Sequence, residues 1–233
     1  MKKLSFDDKP SQFPTTQVKG GPLKPITQVL TERRATSHFK PDPVPQEYLN
    51  AILRLGAQAP SSYNFQPWRF VVIQDAENRK RVKEAAYGQP KVGEAPVILV
   101  AFSVPTEWKE AITQVLEEGA RRGIGKMENV EETREGALQY LSSQSLPLWM
   151  NRHTMIAFTT MMLVAEAYGL DTAPMEGFDP EAMKKTLGLP EESVVVAIMA
   201  IGFAHHPDKP YGGRLTLSEF VYSESYAEHW GAK

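Results

Sequence analysis

Cysteine is missing from all 233 positions. That excludes disulfides, thiolate metal sites and a cysteine nucleophile together. A surplus of either charge is missing too: 26 basic residues against 28 acidic ones leave a formal net charge of -2. A nucleic-acid binder would show a basic surplus, so that class drops out, although a local basic pocket for a small anion stays open. Uninterrupted apolar runs of membrane length are also lacking. The N-terminus, MKKLSFDDKP, starts basic and breaks at Asp7, Asp8 and Pro10 before an apolar stretch develops. No secretory leader is expected, and a cytoplasmic address follows by default. The stretch most suggestive of a span, 146–170, is interrupted by Asn151, Arg152, His153 and Glu166. A buried helix fits it better than a membrane crossing.

What is present is ordinary globular material, 42% hydrophobic and 23% charged. A core that folds without staples is available. Residues 1–24, with Pro10, Pro14, Gly20 and Gly21, read as an extended arm, and 25–233 as one domain. Pro25 opens a short helical stretch ending near Arg34. A second helix follows Pro45, with Leu49, Ile52, Leu53 and Gly56 on one face and Pro60 as its stop. Residues 68–75 read as a strand and 76–88 as an amphipathic helix closed by Gly88. The apolar run 95–104 predicts a central strand covered on both faces. Residues 105–145 are polar and helical in propensity, and are expected to form an exposed excursion short of large apolar anchors. A long core helix closed by Gly169 comes next. Asp179 as N-cap, Pro180 at the first helical position and Gly188 as stop frame another helix. Residues 193–204 form a second buried strand, and the tail RLTLSEFVY is expected to be extended and to reach out from the body. Mixed but non-alternating elements predict an α+β fold, a central sheet flanked by helices.

Common catalytic signatures fail. GARRGIGKM lacks the glycine a phosphate loop needs at Ala120 and the hydroxyl it needs at Met127. No G-x-G-x-x-G follows a strand, so no dinucleotide crevice of that type is predicted. No H-E-x-x-H or G-x-S-x-G occurs. His205 and His206 are adjacent without spaced partners, so no metal site is expected and a solvated turn is the plainer reading.

Three clusters remain. TERRATSHF (31–39) puts Arg33 and Arg34 just past a helix, where arginines also serve simply to complement the macrodipole. APSSYNFQPWRF (59–70) holds Ser61, Ser62, Asn64 and Gln66 between Pro60 and Pro67. Two prolines and two aromatics suggest a rigid, partly buried loop whose polar groups need partners, which the edge of a ligand can supply. APMEGFDP (173–180) places Gly177 where a backbone can approach a ligand closely or simply make a tight turn.

Together with GQPK at 88–91, these clusters resemble, in order, the motifs of the nitroreductase family, from about Pro25 to Tyr222. The A-P-S-S-x-N-x-Q-P-W loop is the specific one. The resemblance implies a mostly antiparallel sheet flanked by helices and an interlocked homodimer with FMN sites shared between subunits. It further implies ping-pong electron transfer from NADH or NADPH to nitroaromatic, quinone or similar small acceptors. Flavin-consuming and reductive dehalogenating enzymes share the fold, and a non-enzymatic flavin-binding protein is the rival from another class. By resemblance, Arg33, Arg34 and Arg214 would meet the phosphate. Pro60, Ser61, Ser62, Asn64 and Gln66 would come from the partner subunit. Gln89 and Lys91 would meet the pyrimidine edge of the ring, and Met175, Glu176 and Gly177 would offer a backbone N–H to the hydride-accepting atom. No catalytic side chain is implied, because the cofactor carries the chemistry. The chain departs from the pattern at Ala35, where serine is frequent, and at Ser37, where a cation is frequent. Trp108, Tyr140 and Trp149 are candidate lid aromatics, with core packing the stronger role for Trp149.

Overall fold

The computed structural model describes residues 3–6, 12–206 and 209–231. Asp7, Asp8 and Pro10 lie outside them. Two apolar strands make the centre. β3 (Val97–Ser103) is buried along its whole length, and β5 (Val194–Ala204) lies antiparallel to it. β2 (Trp68–Ile73) pairs with β3, while β4 (Asp171–Met175) and the two-residue β1 (Phe39–Lys40) pair with β5, all antiparallel. Successive side chains of a strand face opposite sides. Leu99, Ala101, Met199 and Ile201 therefore pack on one face, and Ile98, Val100, Ile198 and Ala200 on the other.

Helices cover both faces, as an apolar central strand requires. α2 (Gln46–Gly56) and α7 (Leu146–Ala167) lie on the first, α3 (Ala76–Ala85), α4 (Pro90–Glu94) and α8 (Pro180–Leu187) on the second. α8 keeps both predicted ends: Asp179 accepts hydrogen bonds from the Glu181 and Ala182 amides, and Gly188 ends it left-handed at φ 64°. Glycine takes that conformation without a Cβ penalty.

The structure departs from the sequence reading at several points. Strand β4 forms where no strand is predicted. Residues 105–145 are not short of anchors: α5 (Pro105–Arg121) and α6 (Val130–Ser142) bury Trp108, Ile112, Val115, Ala137 and Leu141 in a lobe core with Trp149 and Phe65. Trp108, 1% exposed, is therefore core and not lid; Tyr140 does face outward. The first helix, α1 (Ile26–Glu32), ends just before the arginines, as expected. The tail is not extended throughout, since it turns through α9 (Leu217–Phe220) and a bridge between Tyr222 and His229.

The described part of the arm holds no helix or longer strand, yet it lies against the body. Leu4 and Phe6 pack on the lobe, and Phe13 and Val18 on the main core. Lys24 Nζ reaches Glu166 at 2.6 Å, and Glu166 is buried in α7. None of the described helices is long and apolar enough to cross a membrane.

Candidate functional site

The chain leaves α1 at Arg33 in an extended conformation and runs beside β4. Ala35 bridges Thr172, and the Thr36 amide donates to the Thr172 carbonyl at 3.0 Å. Arg34 Nη1 donates to the carbonyls of Thr31 and Arg33, so its helix-end role is real. Its Nε, however, and Nη1 of Arg33 are buried and meet no acceptor among the described residues. A buried, unpaired guanidinium N–H is costly, and an anion seated there would relieve the cost. The hydroxyls of Thr36 and Thr172 are buried without partners in the same stretch. Ser37, half-buried, precedes His38, whose Nδ1 lies 3.1 Å from Glu94 of α4.

That contact ties α4 to the arginine segment and carries Gln89 and Lys91 with it. Lys91 sits in helix α4 and not in a turn. Burial, and then nearby Lys209, push its ammonium below the usual lysine range. Gln89 Nε2 donates to the Gly177 carbonyl at 2.7 Å. That bond uses one of its two amide N–H groups and leaves the other, with the side-chain oxygen, to offer. Met175 is buried in the core beneath the sheet, whereas Glu176 and Gly177 are exposed. Arg214, exposed on the tail, lies with its guanidinium 5.6 Å from the Tyr211 ring centre, and Arg34 lies 5.0 Å from the same ring.

The polar loop is built differently. Tyr63, Asn64 and Gln66 all have positive φ (54°, 56° and 48°), a left-handed cluster without glycine. Such residues cost about 1–3 kcal/mol each and collect at ligand clamps. Phe65, Pro67 and Trp68 anchor the loop inward, while Pro60, Tyr63 and Asn64 face out. The expected burial of its polar groups is therefore only partial. Ser61 Oγ accepts from the Gln66 amide at 3.0 Å, and Gln66 Nε2 donates to the Asn64 carbonyl at 3.1 Å. Ser62 Oγ lies 3.1 Å from His153 Nε2, and His153 Nδ1 lies 2.8 Å from the Trp149 carbonyl. A carbonyl only accepts, so Nδ1 carries the proton, and in the neutral ring Nε2 accepts from Ser62. In that state the hydroxyl proton is turned inward, leaving Ser62 an acceptor toward anything outside.

One chain does not bring these groups together. Trp68, at the end of the loop, pairs with Ser103 at one end of β3, while Val97 at the other end aligns through Ile201 and Thr172 with Ala35. The two ends of a seven-residue strand are roughly 20 Å apart. By this register Arg33, Arg34 and Ala35 lie toward one end and Pro60 to Gln66 at the other, while Glu176–Gly177 follow Met175, which is level with Val100, and draw Gln89 to them.

A family model described as the nitroreductase family matches residues 30–203. The chain belongs to the nitroreductase family. Among its relatives, the NADH dehydrogenase of Thermus thermophilus is 33% identical over 86% of this chain and 96% of its own. MhqN of Bacillus subtilis, a candidate NAD(P)H nitroreductase by name, is 29% identical over 84% of this chain and 97% of its own. A candidate nitroreductase of Exiguobacterium sibiricum, solved in complex with FMN, superposes with a TM-score of 0.76. It covers 91% of this chain and 100% of its own at 22% identity, a likeness of fold.

As a nitroreductase-family member the chain is an oxidoreductase with an α+β fold. Sequence reasoning passed over Thr36, Thr172, Tyr211 and His153 in this family frame. Tyr211 stands three residues before Arg214 and was within reach of inspection. Nothing local connects His153 to Ser62, 91 positions away. His205 and His206 meet edge to face with ring centres 4.4 Å apart.

Proposed function

We propose that this chain is an FMN-dependent NAD(P)H oxidoreductase that acts as a homodimer on small electron-poor acceptors such as nitroaromatics and quinones. The carrying observation is the pair of buried, unpartnered nitrogens on Arg33 and Arg34. Planar, permanently charged forks suit a phosphate. When bound, FMN would supply two-electron transfer from the nicotinamide to the acceptor in alternating half-reactions. Arg33, Arg34 and Arg214 would hold its phosphate. Gln89, through its oxygen and its remaining N–H, and Lys91 would meet the pyrimidine edge, and Glu176–Gly177 would bring backbone to the ring. Ser62, an acceptor when it donates to His153, would take a hydrogen bond from a ligand N–H or O–H, with Pro60, Ser61, Asn64 and Gln66 shaping that wall. Because this wall is a sheet-length from the arginines within one chain, a second subunit would complete each site.

Purified protein should be yellow and release FMN, not FAD, on denaturation. Flavin-loaded protein should sediment as a dimer to lower concentration than flavin-free protein. A ligand specific to the dimer stabilises it by about 2.7 kcal/mol at a hundredfold excess over Kd. FAD in place of FMN, or a monomer saturated with FMN, would defeat the proposal.

Lys91 is expected to take the part of the cation absent at Ser37. A fixed positive charge beside the ring favours whichever state of the cofactor is more negative. Lys91→Met should lower the two-electron midpoint potential by about 30 mV for each ~1.4 kcal/mol of stabilisation lost. Dye equilibration reads this directly, and an unchanged potential removes Lys91 from the site.

A further inference from the structure

We infer that Tyr211 is a positioning residue that holds Arg214 against the Arg33–Arg34 pair, and so makes the site selective for a ligand ending in a phosphate dianion. The inference rests on the phosphate end of the function proposed above. Arg214 belongs to an exposed stretch, 209–216, with no helix or strand. Its own hydrogen bond goes to the adjacent Gly213 carbonyl, at 2.6 Å, which ties it to nothing distant. What links it to the arginine pair, some 180 positions earlier, is one aromatic ring. Arg34 lies 5.0 Å and Arg214 5.6 Å from the Tyr211 ring centre, both within cation–π range.

Two guanidinium groups repel each other, and a ring with a negative face offsets part of that repulsion. Gly213, at φ 79°, supplies the left-handed turn between Tyr211 and Arg214 that a side-chain-bearing residue rarely adopts. Arg34 is fixed at its other end by Thr31 and Arg33, so the ring stands on a settled base. Tyr211 itself is 60% exposed and takes no part in the buried core. Its position is explained by the two arginines and not by packing.

The experiment compares FMN with riboflavin, which has the same ring and no phosphate. Full-length, flavin-stripped wild type, Tyr211→Phe, Tyr211→Ala and Arg214→Ala are titrated with each ligand, and the melting temperatures of the stripped proteins are compared. Wild type should prefer FMN. Tyr211→Ala should lower FMN affinity roughly tenfold and leave riboflavin affinity unchanged. Tyr211→Phe should keep the wild-type preference, since the ring face does the holding. Tyr211→Ala combined with Arg214→Ala should lose little more than either alone, because both remove one arrangement. A Tyr211→Ala protein with the wild-type FMN-to-riboflavin ratio overturns the inference while leaving the phosphate reading intact. Tyr211→Phe falling as far as Tyr211→Ala also overturns it, by giving the effect to the hydroxyl. A wild type indifferent to the phosphate overturns the phosphate reading and the inference with it.

Discussion

Replacing Arg33 by methionine is expected to lower FMN affinity by about 1.5–3 kcal/mol, roughly 10- to 150-fold, without destabilising the flavin-free protein. The two halves of that result have opposite causes. Arg33 Nη1 is buried and unpartnered among the described residues. In the absence of an anion, methionine would keep the aliphatic stem and remove a donor whose desolvation is uncompensated. With phosphate in place, the same substitution deletes a charge-assisted hydrogen bond of the strong kind. Titration of stripped protein with FMN, together with thermal unfolding of the stripped variant, separates the halves. Equal FMN affinity in the two proteins would take Arg33 out of the site. Lost stability without lost affinity would make it a structural arginine.

Gly202→Ala should destabilise the protein by about 2 kcal/mol, with valine worse. A Cβ built there would stand 2.5 Å from Cδ and 2.9 Å from Cγ of Pro96, and 3.2 Å from Phe39. A proline ring cannot swing aside as a flexible side chain can. Gly202 lies on β5 where Asp171 of β4 pairs with it, so strain there bears on the strand beside the arginine segment. At this chain length the melting temperature should fall by roughly 4–8 °C at fixed protein concentration. A variant that melts at the wild-type temperature would show that Pro96 has room to retreat.

The central strands, the long helix α7 and the caps of α8 were legible because each carries its signal locally. Runs such as VILVAFS need no partner to be read, and Asp179-Pro180 with Gly188 brackets its helix by backbone chemistry alone. β4 was not legible. Its sequence, DTAPM, holds an aspartate and a proline, both poor in strands, and Pro174 is admissible because β5 is the one named strand paired with β4 and the bridge from Ala35 falls at Thr172, away from it. The lobe core was misjudged for another reason. Trp108, Ile112 and Val115 do fall at helical spacing, but the polar residues between them dominate the composition of 105–145. At the site, residue types announced the arginines and the polar loop. Their separation by the length of β3 came only from strand register, which no single motif encodes.

The lobe also has an optical consequence. Trp108 and Trp149 lie with ring centres 5.0 Å apart and planes inclined at 51°, flanked by Phe65 on one side and His153 on the other. Two indoles held that close and out of parallel share their excited states, and coupled transitions on inclined axes give circular dichroism of paired, opposite sign. Trp230, 53% exposed, is remote in character and should emit at longer wavelength. Since one indole rides on α5 and the other on α7, the paired bands would vanish when those two helices part. The protein therefore carries an unlabelled chromophoric gauge of that assembly, readable before any flavin is added.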